Sequence, residues 1–192
     1  MDAKLRTEKS RAGLPAGAIP KDAPLNALTD STEDASKSVV QGDSADTHAD
    51  MLEVSLRIAV PPERVFQLLT DPDHIGLWFA QVSGIEPRVG GAVEFVFFNE
   101  NGSVSVFSGE ITAFQANARF GFTWHNRQWT FPPLHVLITL ESAGAATLLR
   151  LRQTGFAKAP PLERDIHDEG WARYLERLAA VADGTRPEGW NA

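Results

Sequence analysis

Residues 162–182 read LERDIHDEGWARYLERLAAVA, and this stretch decides the fold. Its large apolar side chains, Ile166, Trp171, Tyr174, Leu175, Leu178 and Val181, recur at helical spacing. Arg173, Glu176 and Arg177 fall on the other side. The pattern predicts one long amphipathic helix ending at Asp183-Gly184, where glycine suits the C-terminal cap. Such a helix must lay its apolar stripe on something, and the residues before it supply a sheet.

Leu52, Val54, Leu56, Ile58 and Val60 alternate with Glu53, Ser55, Arg57 and Ala59, the period of a strand with one buried face. Val93, Phe95 and Phe97 share the face of another strand, and Asn99-Glu100-Asn101-Gly102 predicts a hairpin connection after it. Further strands are expected over roughly Val104–Phe114, over Arg119–His125 with Phe120, Phe122 and Trp124 in phase, and through Leu134, Val136, Ile138 and Leu140. Ser142-Ala143-Gly144 then turns the chain into a last strand. There Leu149, Leu151 and Gln153 face one way, and Arg150 and Arg152 the other.

Between the first strand and the rest, Pro61-Pro62 ends the strand and opens a short helix with Val65, Phe66, Leu68 and Leu69 at its inner spacing. Asp71 and Pro72 predict the cap and first position of a second short helix carrying His74, Ile75, Leu77, Trp78 and Phe79. The order of elements gives an α+β fold: a curved antiparallel sheet, two short helices after its first strand, and one long C-terminal helix covering a face.

All seventeen aromatic residues lie after residue 50. The first fifty residues therefore read as a disordered N-terminal tail, residues 51–185 as the folded domain and 186–192 as a C-terminal extension. With no cysteine, disulfides, thiolate metal sites and cysteine nucleophiles are excluded. A net charge of −7 without a basic cluster argues against a nucleic-acid partner, and no apolar run approaches a membrane span. Charged residues from Asp2 to Lys9 interrupt any secretory leader, so a cytoplasmic location is expected. The histidines lack metal-site spacing, no nucleotide or nucleophile motif is present, and no cofactor is expected.

Four segments add a resemblance. Asp71-Pro72 through Trp78-Phe79 is similar to the "D-P-x-x-x-x-x-W-F" segment of the START-like (SRPBCC, Bet v-type) superfamily. Arg88-Val89-Gly90-Gly91 resembles its "R-x-G-G" turn, and Arg119 to Trp124 its "R-L-x-x-T-W" strand. His167 to Trp171, followed by Leu175 and Leu178, resembles the "H-x-x-G-W-x-x-x-L-x-x-L" opening of the last helix. Over about residues 52–183 the chain most resembles the activator of heat-shock protein 90 ATPase homologue-like branch. The resemblance implies a helix-grip fold with a cavity between sheet and helix, in which relatives bind or process hydrophobic small molecules. It also implies two alternatives: a co-chaperone-like partner of the chaperone ATPase, and a small cyclase or hydrolase acting in the cavity. Eukaryotic co-chaperones of this kind carry a separate N-terminal domain where this sequence has its fifty-residue tail.

The expected cavity wall follows from strand phase and from these motifs. Phe95, Phe97, Phe122 and Trp124 lie on the inner face, joined by Val136, Ile138 and Leu149. Trp78 and Phe79 stand near the entrance, and Gly170, Trp171 and Tyr174 come from the long helix. Gln153 is the sharpest polar candidate, because an inward amide must find a partner on the helix, a loop or a ligand. His167 opens the long helix and is expected either to bond locally or to face the cavity, whereas His125 and His135 are out of phase with the inner face. No catalytic residue is assigned. A hydrophobic small-molecule binder, rather than an enzyme, is the leading expectation.

Overall fold

The computed structural model describes residues 50–99 and 101–185. The expected tail, apart from Asp50, lies outside the described residues, as do the expected extension over 186–192 and Glu100 of the hairpin. The chain runs β1 (Met51–Ile58), α1 (Pro62–Thr70), α2 (Pro72–Ile75), β2 (Val82–Ile85), β3 (Ala92–Phe98), β4 (Val104–Gln115), β5 (Arg119–Asn126), β6 (Leu134–Ala143) and β7 (Ala146–Thr154). A 3-10 turn at Phe156–Lys158 leads into α3 (Pro161–Ala182). The seven strands are antiparallel in the order β1-β7-β6-β5-β4-β3-β2, and α3 packs on the concave side as the helix-grip arrangement requires.

The alternation in β1 does what its period demands. Leu52 pairs with Gln153 and Leu56 with Leu149 on the inner face, while Glu53 stands on the outer face beside Arg150 (3.6 Å) and in contact with Arg152. Between β4 and β5 the register shifts at Ile111 and Ala113, a bulge that adds local twist and helps curl the sheet. Near it the two strands come so close that a Cβ on Gly109 would stand 1.8 Å from the Thr123 carbonyl oxygen. Only glycine fits there.

Pro62 stands in the first turn of α1, and Val65, Phe66, Leu68 and Leu69 are its buried face. Asp71 ends α1 and caps α2 through its carboxylate, which accepts from the Asp73 amide at 3.0 Å. The second helix is shorter than expected: it stops at Ile75, and Leu77 to Phe79 continue in tight turns. A helix turns about 100° per residue. Burying the adjacent rings of Trp78 and Phe79, which stack at 5.0 Å, is therefore better served by turns.

One strand was not expected. In β2, Val82 to Ile85, exposed and half-buried residues alternate with none fully buried, and a glycine interrupts it. It carries no apolar period to read, and it exists because it pairs with β3 at the sheet edge. Asp50, placed in the tail by composition, belongs with the domain. Its carbonyl accepts from Gly155 N at 3.2 Å and its carboxylate from Ala157 N at 2.7 Å, which fixes the 3-10 turn before α3. Arg173 and Arg177 also depart from expectation. Both are half-buried, with their guanidinium groups 5.6 Å from the centre of the Tyr174 ring.

Candidate ligand cavity

The inner face of the sheet, α1, α2 and α3 meet in a continuous aromatic cluster. At its middle is Phe79, whose ring lies 4.9–6.0 Å from Trp78, Phe95, Trp124, Trp171, Tyr174 and Phe97. Trp78 is tied to α1 by its indole N–H, which donates to the Leu68 carbonyl at 2.8 Å. Beside these rings lies a void walled by Leu69 and Ile75 from the helices, Trp78 and Phe79 after them, Phe95, Phe120, Phe122 and Ile138 from the sheet, and Trp171 from α3. It is about 10 Å³, at the lower limit for one water molecule. The rings expected to surround a hollow thus largely fill it.

Six of the expected wall residues border this void: Trp78, Phe79, Phe95, Phe122, Ile138 and Trp171. Phe97, Trp124, Val136, Leu149, Gln153, His167, Gly170 and Tyr174 are all buried in the same interior but stand off it. Leu69, Ile75 and Phe120 border it and were not among the expected wall residues. Phe120 was legible, being in phase with Phe122. Leu69 and Ile75 were not, since nothing in a short helix says which side of a sheet it will cover.

Gln153 is fully buried, and its carbonyl oxygen accepts from the Trp171 indole N–H at 2.7 Å, so β7 holds the helix ring that walls the void. Its amide nitrogen has no partner among the described residues. His167, one turn before Trp171, is also fully buried. Its Nδ1 donates to the Glu163 carbonyl at 2.8 Å, since a carbonyl only accepts, and Nε2 is left without a partner among the described residues. Around it stand the rings of Phe156 at 5.6 Å, Trp129 at 5.8 Å and Trp124 at 6.5 Å. The indole nitrogens of Trp124 and Trp129 are likewise buried without a partner. Trp129, from the loop between β5 and β6, was not among the expected wall residues. Its neighbours come from distant parts of the chain, so no local signal marks it. His135 is exposed, as its phase implies, and His125 is half-buried with its ring 6.1 Å from Trp129.

Burial holds the His167 pKa down to about 4, against the bond to the Glu163 carbonyl, which raises it. Burial raises the Glu163 carboxyl, whose oxygen lies 3.7 Å from His167 Nδ1. An unfolded chain protonates His167 near pH 6.5, so between there and pH 4 it binds more protons than the folded chain. Stability therefore falls as pH is lowered through that window, by up to about 2 kcal/mol between pH 6.5 and 5. Glu163, with its folded pKa raised, works the opposite way above its ordinary value and offsets part of the loss. Urea unfolding across this range measures the slope. It flattens in His167→Phe, and an equal slope in that variant would show that another group titrates.

Among the described residues, no helix is long and apolar enough to cross a membrane. A family model described as Activator of Hsp90 ATPase homolog 1-like protein matches residues 59–183. Among solved structures, the chain is similar to protein CV1439 from Chromobacterium violaceum, with 25% identity, TM-score 0.62, and coverage of 70% of this chain and 97% of that one. Protein MLL2253 from Mesorhizobium loti is similar at 27% identity and TM-score 0.60, covering 70% of this chain and 98% of that one. DynU16, a protein in the dynemicin biosynthetic locus, shares the fold at 22% identity and TM-score 0.61, over 71% of this chain and 49% of its own. No curated protein matches the chain.

Proposed function

This chain belongs to the activator of Hsp90 ATPase homolog 1-like family, and from that premise we propose that its domain binds a hydrophobic small molecule between the sheet and α3. The observation that carries the reading is the void against Phe79 and Trp171, walled by nine apolar or aromatic residues and by no titratable side chain. Such a wall favours retention of an apolar molecule over acid–base chemistry at that spot.

At about 10 Å³ the void admits no ligand as it stands, since pockets for such molecules run to several hundred Å³. The protein opens by outward movement of residues 71–81. This segment contains only a four-residue helix, and few polar bonds among the described residues tie it to its neighbours: Asp71 N to the Gln67 carbonyl at 3.0 Å, Arg64 Nη1 with His74 Nε2 at 3.3 Å, Trp78 Nε1 to the Leu68 carbonyl, and the Phe98 amide to Gln81 Oε1 at 3.3 Å. Its departure takes Trp78 and Phe79 out of the cluster and leaves the space of two aromatic side chains.

A library of aromatic and lipid compounds, screened by thermal shift, tests the reading, together with native mass spectrometry of protein purified from its own host. A ligand at a hundred times its Kd stabilises the native state by about 2.7 kcal/mol, a shift of several degrees for a domain of this size. A library that shifts nothing, with no co-purifying mass, overturns it. The family's description favours a second reading, a partner of the chaperone ATPase. Stimulation of that ATPase would support it, and the absence of both stimulation and co-purification would remove it.

A further inference from the structure

Four polar groups on buried residues of this interior lack a hydrogen-bond partner among the described residues: Nε2 of His167, the indole nitrogens of Trp124 and Trp129, and the amide nitrogen of Gln153. Oε2 of the half-buried Glu163 beside His167 and Nδ1 of the half-buried His125 beside Trp129 lack one as well. The first four residues are all buried, His167 and Gln153 completely. A buried polar atom left unpaired costs about 1–3 kcal/mol, so four in one region mark a place where a polar group belongs.

The chemistry of that group follows from donors and acceptors. Because Nδ1 of His167 gives its proton to the Glu163 carbonyl, Nε2 presents a lone pair and accepts. The Trp124 and Trp129 nitrogens can only donate, and their rings lie 6.5 and 5.8 Å from that of His167. An ether or ketone oxygen would satisfy an indole and set its lone pairs against Nε2. A hydroxyl gives its proton to Nε2 and accepts from an indole.

Resting on the reading of this interior as a ligand cavity, we infer that its His167 end recognises a hydroxyl group on an aromatic ligand, a phenol-class compound. The wall fits the rest of such a molecule. Trp171 borders the void one helical turn beyond His167, its N–H held by Gln153, and the Trp124 ring lies 6.1 Å from it and 6.5 Å from the His167 ring. A flat aromatic body placed against Trp171 and Phe122 extends its hydroxyl toward His167. Burial keeps that imidazole neutral at neutral pH, so Nε2 remains an acceptor. Glu163 is the titratable side chain beside it, and the Trp124, Trp129 and Phe156 rings close its other sides.

The probes are 2-naphthol, its methyl ether and naphthalene, titrated into the full-length protein by calorimetry. The expected result is that 2-naphthol binds about tenfold more tightly than the ether, the worth of one good buried hydrogen bond, and that His167→Phe reduces the ratio to about one. Equal affinity for all three in the wild type overturns the inference while leaving the cavity reading intact. In that case the unpaired groups are served by internal water only. Failure of all three to bind overturns the inference and counts against the cavity reading as well. Should His167→Phe not fold, imidazole nitrogen NMR of the wild type decides. A shift of the Nε2 resonance with 2-naphthol and none with the ether supports the inference, and an unmoved resonance refutes it.

Discussion

Phe79→Ala is expected to lower the unfolding free energy by about 4 kcal/mol, within the range for a large aromatic removed from a packed core. The estimate rests on position. Six other rings pack around Phe79, and its side chain is 3% exposed. It also borders the existing void, so the space it leaves merges with space already present. Two strands and α3 flank it along with Trp78, and the strands and the long helix have little freedom to collapse. Denaturant unfolding should show a lower midpoint at an unchanged slope, the signature of lost stability without a changed unfolded state. The same deletion should create a site. Naphthalene ought to raise the melting temperature of the variant more than that of the wild type, because engineered apolar cavities take up apolar molecules. A loss below about 1.5 kcal/mol would mean that the strands and α3 close up around the deletion.

That prediction turns on a feature the sequence displays and does not explain. Strand phase places Phe95, Phe97, Phe122 and Trp124 on one face, and the helical period places Trp171 and Tyr174 toward it; the structure puts all six in one cluster. Phase tells which way a side chain points. It does not tell how much space remains once opposing side chains arrive, and here the rings leave room for hardly more than one water. The same distinction explains Gln153. Its inward direction was legible from Leu149 and Leu151, but its partner Trp171 lies eighteen residues away on another element. The pairing depends on how α3 is laid across the sheet. Elements with no period were harder still. The edge strand β2 has no fully buried residue and owes its form to pairing with β3. Trp129 reaches His167 from a loop, which has no repeating geometry to extrapolate.

Trp171 is where the packing and the polar interior meet, and its variants separate the two. Trp171→Ala should cost about 5 kcal/mol, at the top of the range for such truncations, because the ring is 1% exposed and stacks on Phe79 at 5.3 Å. The change also leaves the Gln153 carbonyl buried without a donor, beside an amide nitrogen that already has no partner among the described residues. Trp171→Phe keeps most of the ring and isolates the second effect. It should cost about 1–3 kcal/mol through the orphaned carbonyl alone. Replacing both members, Trp171→Phe with Gln153→Met, removes the polar pair together, and the double variant should recover part of that loss. A coupling of about 1–2 kcal/mol in the double-mutant cycle is the expected reading. Additive losses would show that the 2.7 Å contact is incidental and that Gln153 is free to serve another partner. If the cycle shows coupling, the double variant becomes the sharper tool. It retains an apolar wall at the void while lacking the polar tether of Trp171. A wild-type affinity for naphthalene in that variant would show that the tether has no part in binding, whereas weakened binding would assign Gln153 to positioning the helix ring, which closes the space the ligand needs once it rotates freely.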